Sequence, residues 1–242
     1  MQKWSKSVAI VTGANSGNGF AILKKLAESA ITAVGLDIRT DAIDKLKAEM
    51  GDSKIYSVLC DVTKDESTEA AFKWVDDTLG GVDILINNAG IFKNIGIFEH
   101  EKPMSELALN VDLNFTSVVR CSRLAFKSME ARGAFGYIIN MNSVLGHYVA
   151  PINIVQPGVY PGTKHAITAT TDVMRRELNK MKNTKIRVTS ISPGLVQTNL
   201  FKTEVHQDDE EKILHNTLLP EDIADTVCYL LTLPFSVNVN EL

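Results

Sequence analysis

Apolar and polar positions along the chain follow two alternating patterns. Short runs of mostly apolar residues are typical of strands covered on both faces, and they occur at residues 7–12, 32–37, 55–60, 82–87, 136–142 and 185–191. Longer segments have the spacing of amphipathic helices, at residues 17–29, 41–50, 65–79, 103–130, 159–181 and 220–231. Because strands that alternate with helices form βαβ units, we expect an α/β fold. It should be a doubly wound parallel sheet with helices on both faces, in one domain over residues 1–242.

Some boundaries in this pattern can be assigned and others remain open. Asp41 and Thr63 are predicted helix N-caps, and Pro220 suits the first turn of the last helix. Residues 197–217 are polar and contain the acidic run 208–211. Such a run is usually a solvated helix face, but here it could equally belong to a mobile substrate lid. Alternation at residues 235–242 predicts a last strand that stops early.

Composition narrows the class of function. Of 242 residues, 45% are hydrophobic and 22% charged, and the net charge is −4, which gives no attraction to nucleic acid or anionic membranes. No apolar stretch has the length of a membrane span, and we expect no signal peptide. Three scattered cysteines predict reduced thiols, and five histidines without ligand spacing predict no metal site. We therefore expect a cytoplasmic protein without a nucleic-acid partner.

A glycine-rich turn stands between the first predicted strand and the first predicted helix. Gly13, Gly17 and Gly19 are spaced as Gly-x-x-x-Gly-x-Gly. Glycines at such a turn let a pyrophosphate approach the backbone and rest on the helix N-terminus, as in Rossmann-type folds. A tight turn without a ligand is the simpler alternative, but the strand, turn and helix context favours dinucleotide binding.

The end of the second predicted strand bears on the choice of cofactor. Asp37 follows the glycines by about 20 residues, where a carboxylate accepts hydrogen bonds from the ribose hydroxyls of NAD and repels a 2′-phosphate. Arg39 could offset that repulsion, and Asp37 could instead cap a helix or turn. We expect NAD, with NADP as the alternative.

A second set of polar residues points to proton transfer. Ser143 follows the fifth predicted strand, and Tyr160 and Lys164 share one helix face at a spacing of four. A neighbouring ammonium is expected to lower the pKa of the tyrosine. Tyr160 could then exchange a proton with an alcohol or carbonyl while Ser143 bonds the same oxygen.

Taken together, these motifs resemble the short-chain dehydrogenase/reductase family. The matching segments are 12–19, 61–62, 87–90, Asn114, Ser143, 160–164 and 192–194 with Thr198. Residues 139–147, 159–166 and 189–194 are similar to the insect farnesol dehydrogenases and a related vertebrate branch that reduces steroid and other carbonyls.

The resemblance implies a role for each matching residue. Asn114 would complete an Asn-Ser-Tyr-Lys tetrad, in which its side chain or backbone holds a water that links Lys164 to solvent. Lys164 would also contact the nicotinamide ribose, and residues 193–198 would orient the carboxamide. Motif and resemblance together assign the cofactor to Gly13, Asn15, Ser16, Gly17, Asn18, Gly19, Asp37, Arg39, Asp61, Val62, Asn88, Ala89, Gly90, Tyr160, Lys164, Pro193, Gly194, Val196 and Thr198.

Three positions depart from the family's pattern. Asn18 stands where the family usually has an aliphatic residue, and Gly162 stands where it favours alanine. The relatives commonly lack an acid at the position of Asp37 and carry arginines there, which goes with NADP. The residues and the relatives therefore predict different cofactors.

The substrate side is mostly apolar. Residues 144–156 should line the pocket ahead of Tyr160, and the candidate contacts are Leu145, His147, Val155 and Leu195. Such a lining suits a lipophilic alcohol or carbonyl, such as a farnesol-like terpenol, although ordinary core packing explains most of these side chains. A steroid or xenobiotic carbonyl reductase is the enzymatic alternative, and a non-catalytic dinucleotide-sensing protein is the alternative of another class.

The long helices predicted at 103–130 and 159–181 are apolar on more than one face. One face should pack on the sheet and another on a second copy. We expect a homodimer or homotetramer.

Overall fold

The fold is taken from a computed structural model, which describes residues 2–51, 54–149, 157–202 and 217–242. A turn of 3-10 helix (Gln2–Trp4) precedes β1 (Val8–Thr12), α1 (Gly17–Glu28), β2 (Thr32–Asp37), α2 (Asp41–Met50), β3 (Ile55–Leu59), α3 (Asp65–Leu79) and β4 (Ile84–Asn87). The second half comprises α4 (Met104–Val111), a π-helical segment (Asp112–Thr116), α5 (Ser117–Arg132), β5 (Gly136–Met141), a 3-10 turn (Val144–Gly146), α6 (Tyr160–Lys180), β6 (Ile186–Ile191), α7 (Asn199–Lys202) and α8 (Pro220–Thr232).

The six strands form one sheet in the order β3-β2-β1-β4-β5-β6, and every pairing is parallel. Alternate residues of each strand enter two buried clusters. Ala9 and Val11 of β1 belong to the cluster beneath α1 and α8, whereas Val8 and Ile10 belong to the cluster beneath α3, α5 and α6. The strand order reverses between β1 and β4, and ligands bind at such a switch point. The doubly wound fold expected from the sequence is confirmed.

Two predicted helix caps were wrong. The N-caps of α2 and α3 are Thr40 and Lys64, not Asp41 and Thr63. Asn15 supplies the missing acceptor for α2, because its Oδ1 accepts hydrogen bonds from the N–H groups of Ala42 and Ile43. This partner is distant in sequence, so a local cap pattern cannot reveal it.

Two other predicted elements take a different form. The helix expected at 103–130 is interrupted by the π-helical segment. The tail forms an isolated bridge between Ser190 and Glu241 instead of a strand, with backbone hydrogen bonds that join residues 190–192 to residues 240–242. Of the expected lid, residues 197–202 and Thr217 are described, and residues 203–216 lie outside the described residues. Within the described part of the chain, no helix is both long and apolar enough to cross a membrane.

Candidate active site

A cleft of about 630 Å³ opens at the carboxyl ends of the strands. Its floor and walls come from the glycine turn, the ends of β2 to β5 and the starts of α6 and α7. The lining residues are Gly13, Ser16, Gly17, Asn18, Leu36, Asp37, Ile38, Cys60, Asp61, Val62, Thr63, Asn88, Ala89, Gly90, Ile91, Phe92, Lys93, Leu109, Leu113, Met141, Asn142, Tyr160, Lys164, Thr198, Asn199 and Leu200.

The glycine turn is built so that side chains do not fill it. A Cβ at Gly19 would lie 2.1 Å from the carbonyl oxygen of Gly13, and a Cβ at Gly13 would lie 2.8 Å from Cα of Ala89. Gly13 also has a φ of 65° and Gly17 a φ of 53°, which favour glycine. The N-terminus of α1 therefore faces the cleft bare, as binding of a diphosphate requires.

One polar atom at this turn is buried and unpaired. Asn18 lines the cleft, and its Oδ1 has no hydrogen-bond partner among the described residues. Burial of an unsatisfied polar atom is costly. The orphaned Oδ1 and the bare turn are consistent with a polar ligand, so the residues present fit a dinucleotide.

Asp37 lies at the end of the cleft where an adenosine ribose would sit. Its Oδ2 accepts a hydrogen bond from the N–H of Asn15 at 3.0 Å, and its Oδ1 accepts one from the N–H of Arg39 at 3.1 Å. Each oxygen keeps a further lone pair for a hydroxyl donor. The side chain of Asn15 is hydrogen-bonded to α2, since its Nδ2 donates to Asp41 and its Oδ1 accepts from the first turn of that helix.

The next strand end is ordered by its own carboxylate. Asp61 Oδ1 accepts from the N–H of Thr63 at 2.9 Å and from its hydroxyl at 2.7 Å. Asp61 and Val62 line the cleft as the sequence predicts, whereas Arg39 lies outside the lining within the described part of the chain.

The loop after β4 is held by two side chains from elsewhere. Thr12 Oγ1 accepts hydrogen bonds from the N–H groups of Asn88 and Ala89. Asn114 clamps Ile91, because its Oδ1 accepts from the N–H at 2.8 Å and its Nδ2 donates to the carbonyl at 2.8 Å. Asn114 lies in the π-helical segment, and such segments are frequent at functional sites. The amide of Asn114 thus shapes the cleft wall.

The tyrosine and lysine meet at the inner end of the cleft. Tyr160 begins α6 and is 4% exposed, and Lys164 lies one turn later and is 7% exposed. Lys164 Nζ donates to the carbonyl of Met141 at 2.9 Å and lies 5.5 Å from the centroid of the Tyr160 ring. Phe92 packs edge-on against that ring. Ser143 is not among the described residues that line the cleft but contacts one of them, because its Oγ accepts from the N–H of Leu145 and bonds the Tyr160 hydroxyl.

Burial dominates the protonation of this centre. It raises the pKa of Tyr160 above its usual value, against the opposing effect of the Ser143 hydrogen bond. It also lowers the pKa of Lys164 to about 8. The direction for Tyr160 is opposite to the lowered pKa predicted from the Tyr-Lys spacing, because burial disfavours the charged phenolate. Tyr160 is therefore protonated at neutral pH, the form that donates to a carbonyl.

Several predicted residues lie beside the cleft rather than in its lining. Pro193 accepts a hydrogen bond from the N–H of Val144, and Val196 pairs with Leu218. His147, Leu145 and Leu195, expected on the substrate side, lie outside the lining within the described part of the chain, as does Gly194. The ring of His147 instead contacts Ser192 and Glu241. Val155 falls outside the described residues.

The cleft also contains residues that sequence reasoning missed. Leu109 and Leu113 line it from α4 and the π-helical segment, and Ile38 lines it beside Asp37. The spacing of Leu109 and Leu113 on one helix face was a usable signal.

Comparison with known proteins agrees with this geometry. The family model described as short chain dehydrogenase matches residues 7–209, and the chain belongs to this family. Farnesol dehydrogenase of Aedes aegypti is 39% identical, over 100% of this chain and 96% of that protein. Dehydrogenase/reductase SDR family member 11 of Gallus gallus is 35% identical, over 100% and 96%. The resemblance stated from the motifs is confirmed.

Solved structures extend the likeness to the fold. The closed form of serine dehydrogenase complexed with NADP+ matches with a TM-score of 0.85 and 30% identity, over 97% of this chain and 93% of that chain. A 3-ketoacyl-(acyl-carrier-protein) reductase of Brucella melitensis complexed with NADH matches with a TM-score of 0.82 and 28% identity, over 98% and 95%. The chain is an oxidoreductase that uses a nicotinamide cofactor.

Proposed function

We propose that the protein transfers a hydride between NAD and a lipophilic alcohol or carbonyl, such as a farnesol-like terpenol. The observation that carries the proposal is the convergence of Ser143, Tyr160 and Lys164 at the inner end of the cleft. Proton exchange with a substrate oxygen needs a donor in this position.

The nicotinamide, when bound, accepts or delivers the hydride. Tyr160 moves the proton at the substrate oxygen, and Ser143 Oγ holds that oxygen beside it. Lys164 stabilises the phenolate that forms when Tyr160 gives up its proton, because its ammonium lies 5.5 Å from the ring. The cleft walls from the glycine turn and Asp37 hold the nucleotide.

Asn114 supports proton relay through its backbone. Its side chain is engaged with both polar groups of the Ile91 backbone, so the side-chain alternative expected from the resemblance is disfavoured. We assign to the backbone carbonyl of Asn114, in the π-helical segment, the water that links Lys164 to solvent.

The substrate class follows from the apolar part of the wall. Ile91, Phe92, Leu109, Leu113 and Met141 line the cleft, and Phe92 packs against the ring of Tyr160. Such a surface suits an aliphatic or isoprenoid chain. The 39% identity to a farnesol dehydrogenase supports the same class. Leu145, His147, Val155 and Leu195 remain candidates for contact with the distal end of the substrate.

The test is a panel of terpenols, steroid alcohols and xenobiotic carbonyls, assayed with NAD and NADP in parallel. Activity confined to steroids or xenobiotics would favour the carbonyl reductase alternative. Cofactor binding without turnover of any compound would favour a dinucleotide-sensing protein.

Tyr160→Phe provides the matching variant, since it removes the hydroxyl with little change in packing. Turnover should fall by about 10²- to 10⁴-fold, the contribution that a positioned general acid or base typically makes. Nucleotide affinity should stay within about twofold. Near-normal turnover in Tyr160→Phe would sink this mechanism.

We also propose that the protein assembles as a homodimer or homotetramer. Val111, Phe115 and Val119 recur every four residues along α4, the π-helical segment and α5, and each is exposed or half-exposed. A second copy that covers this stripe would remove it from water.

A cytoplasmic location is the last part of the proposal. Cys60 and Cys121 are buried and Cys228 is partly buried, and all three are free thiols. Free thiols suit a reducing compartment. Fractionation of source cells, with the activity followed, tests this.

A further inference from the structure

Residues 238–242 run along the exposed edge of β6 and continue past its carboxyl end. Asn240 accepts a hydrogen bond from the N–H of Ser190 at 3.1 Å, and Leu242 donates to the carbonyl of Ser190 at 3.0 Å. The N–H of Ser192 donates to the carbonyl of Leu242 at 2.7 Å. This pairing carries the side chain of Glu241 to the rim of the active site.

Three side chains meet there. Glu241 Oε1 lies 2.6 Å from Nε2 of His147 and accepts a hydrogen bond from Oγ of Ser192 at 2.8 Å. Ser192 Oγ is also 3.1 Å from the same Nε2. We call His147, Ser192 and Glu241 the rim cluster.

The composition of the rim cluster matches that of a hydrolytic triad, but its geometry does not. In a triad the serine bonds one ring nitrogen and the carboxylate bonds the other, so that the acid orients the base. Here both partners converge on Nε2. The rim cluster therefore fastens chain segments together and does not activate Ser192.

The fastened segment is the turn that carries Ser143. Ser143 is the N-cap of the 3-10 turn, accepting from the N–H of Leu145, and His147 closes it by donating its N–H to the carbonyl of Val144. Val144 donates to the carbonyl of Pro193 at 3.0 Å, next to Ser192. The turn thus has a backbone anchor at its start and the rim cluster at its end. Between them, Thr168 Oγ1 of α6 donates to the carbonyl of Gly146 at 3.0 Å.

We propose that Glu241 is a positioning residue for the reaction, acting through His147 and Ser192 to hold the Ser143 turn against Tyr160. The proposal rests on the proposed function, in which Ser143 holds the substrate oxygen. Small misplacements of a catalytic group cost turnover steeply. The side chains of His147 and Glu241 are 36% and 39% exposed, and such a pair contributes little to global stability. Loss of Glu241 should therefore reduce turnover without unfolding the protein.

The kinetic test compares Glu241→Ala, Glu241→Gln and the control Asn238→Ala. Asn238 lies in the same segment, and its amide bonds Asn240 instead. With the best substrate of the panel and saturating cofactor, Glu241→Ala should lower kcat about tenfold, or about 1.4 kcal/mol of activation free energy. Cofactor Kd should change less than twofold and Tm by less than about 2 °C. Glu241→Gln, which retains the Oε1 acceptor, should recover most of kcat, and Asn238→Ala should match the wild type.

A second measurement needs no turnover. Hydrogen exchange at the amides of Leu145, Gly146 and His147, all bonded within the turn, should be faster in Glu241→Ala and unchanged in Asn238→Ala. If the wild type turns over no compound, the proposed function is overturned. The exchange measurement then decides on its own whether Glu241 holds the Ser143 turn in place. Unchanged exchange, or wild-type kcat in Glu241→Ala, would overturn the role of Glu241. A joint fall of kcat and Tm without rescue by Gln would also overturn it, since that pattern shows a structural role only.

Discussion

Lys164 is a buried cation for which folding and catalysis set opposite requirements. It is 7% exposed, and burial lowers its pKa to about 8 from the usual 10.5. Its Nζ bonds the carbonyl of Met141 and lies beside the ring of Tyr160. In the proposed mechanism this charge stabilises a phenolate, and its burial carries a cost to the folded state.

The loss of folding stability caused by burying the Lys164 charge depends on pH. The folded state binds the Lys164 proton more weakly than the unfolded state does, so stability rises with pH between the folded pKa of about 8 and the unfolded value of 10.5. Relative to Lys164→Met, the wild type should gain roughly 2 kcal/mol between pH 7 and pH 10. Chemical denaturation of both proteins at the two pH values measures this. A stability difference that does not change with pH would contradict a buried, titrating Lys164.

Asp37 is the residue at which cofactor preference is expected to be decided. Its carboxylate is fixed by the N–H groups of Asn15 and Arg39, so it is poorly placed to move aside for a 2′-phosphate. Two like charges about 4 Å apart repel by at most ~4 kcal/mol at an effective dielectric of ~20, and a surviving ~1.4 kcal/mol gives tenfold discrimination. The wild type should favour NAD in kcat/KM, and Asp37→Ala should shift the ratio toward NADP. Preference of the wild type for NADP would show that Arg39 dominates.

At the scale of elements, the local sequence pattern predicted the bounds of a helix or strand correctly where the signals for both ends lie within or next to that element. The strand Thr32–Asp37 and the helices Asp41–Met50 and Asp65–Leu79 have the predicted bounds, because apolar periodicity ends at turns on both sides. The π-helical segment was missed, since it is defined by wider backbone bonds such as that from the N–H of Ser117 to the carbonyl of Asp112. A continuous apolar pattern does not record such an insertion.

The candidate site was likewise predicted where the signal is local in sequence and missed where the contacting residues are far apart in the chain. Polar residues at consecutive strand ends predicted the cleft, because parallel strands present their carboxyl ends at one edge, and Gly13, Asp37, Asp61 and Asn88 all line it. His147 was predicted to face the substrate, but its partner Glu241 is remote in sequence. No spacing rule connects the two, so only the folded chain reveals that contact.

Gly162 is a position in α6 where glycine is expected to lower the stability of the protein. It lies in the first turn of α6, and a Cβ there would meet nothing within 4 Å. Alanine stabilises a helix by up to ~1 kcal/mol over glycine, and less near an end. Gly162→Ala should therefore raise the free energy of unfolding by about 0.5 kcal/mol and Tm by one or two degrees, as measured by thermal denaturation.

Gly19→Ala is the contrasting variant for the same substitution. Its Cβ would lie 2.1 Å from the Gly13 carbonyl oxygen, so it should destabilise the turn and weaken nucleotide binding. If Gly162→Ala and Gly19→Ala change the free energy of unfolding and nucleotide affinity equally, the expectations for both glycines are wrong.

At the scale of the whole molecule, each side of the sheet has its own buried cluster beneath its helices. The cluster under α1 and α8 is enclosed by those helices and by Trp4 and Phe235. On the other side, α4 to α6 keep apolar side chains at their outer surfaces, with Val111 at 39% and Val173 at 49% exposure. Helices that are apolar on more than one face are typical of subunit contacts.

Assembly through α4 and α5 predicts which substitution breaks it. Val119 is half-buried on α5, four residues beyond Phe115, and it is not among the residues that line the cleft in the described part of the chain. A twofold interface places each such residue against the same stripe on the partner, so Val119→Glu would bring two like charges into that interface and bury them. Sedimentation at micromolar concentration should show the wild type as a dimer or tetramer and Val119→Glu as a smaller species, with unchanged circular dichroism and nucleotide affinity. Tyr229→Glu is the matched control, because Tyr229 is exposed on α8 across the sheet, and it should sediment as the wild type does. A monomeric wild type, or a Tyr229→Glu variant that dissociates while Val119→Glu does not, would place the interface elsewhere or remove it.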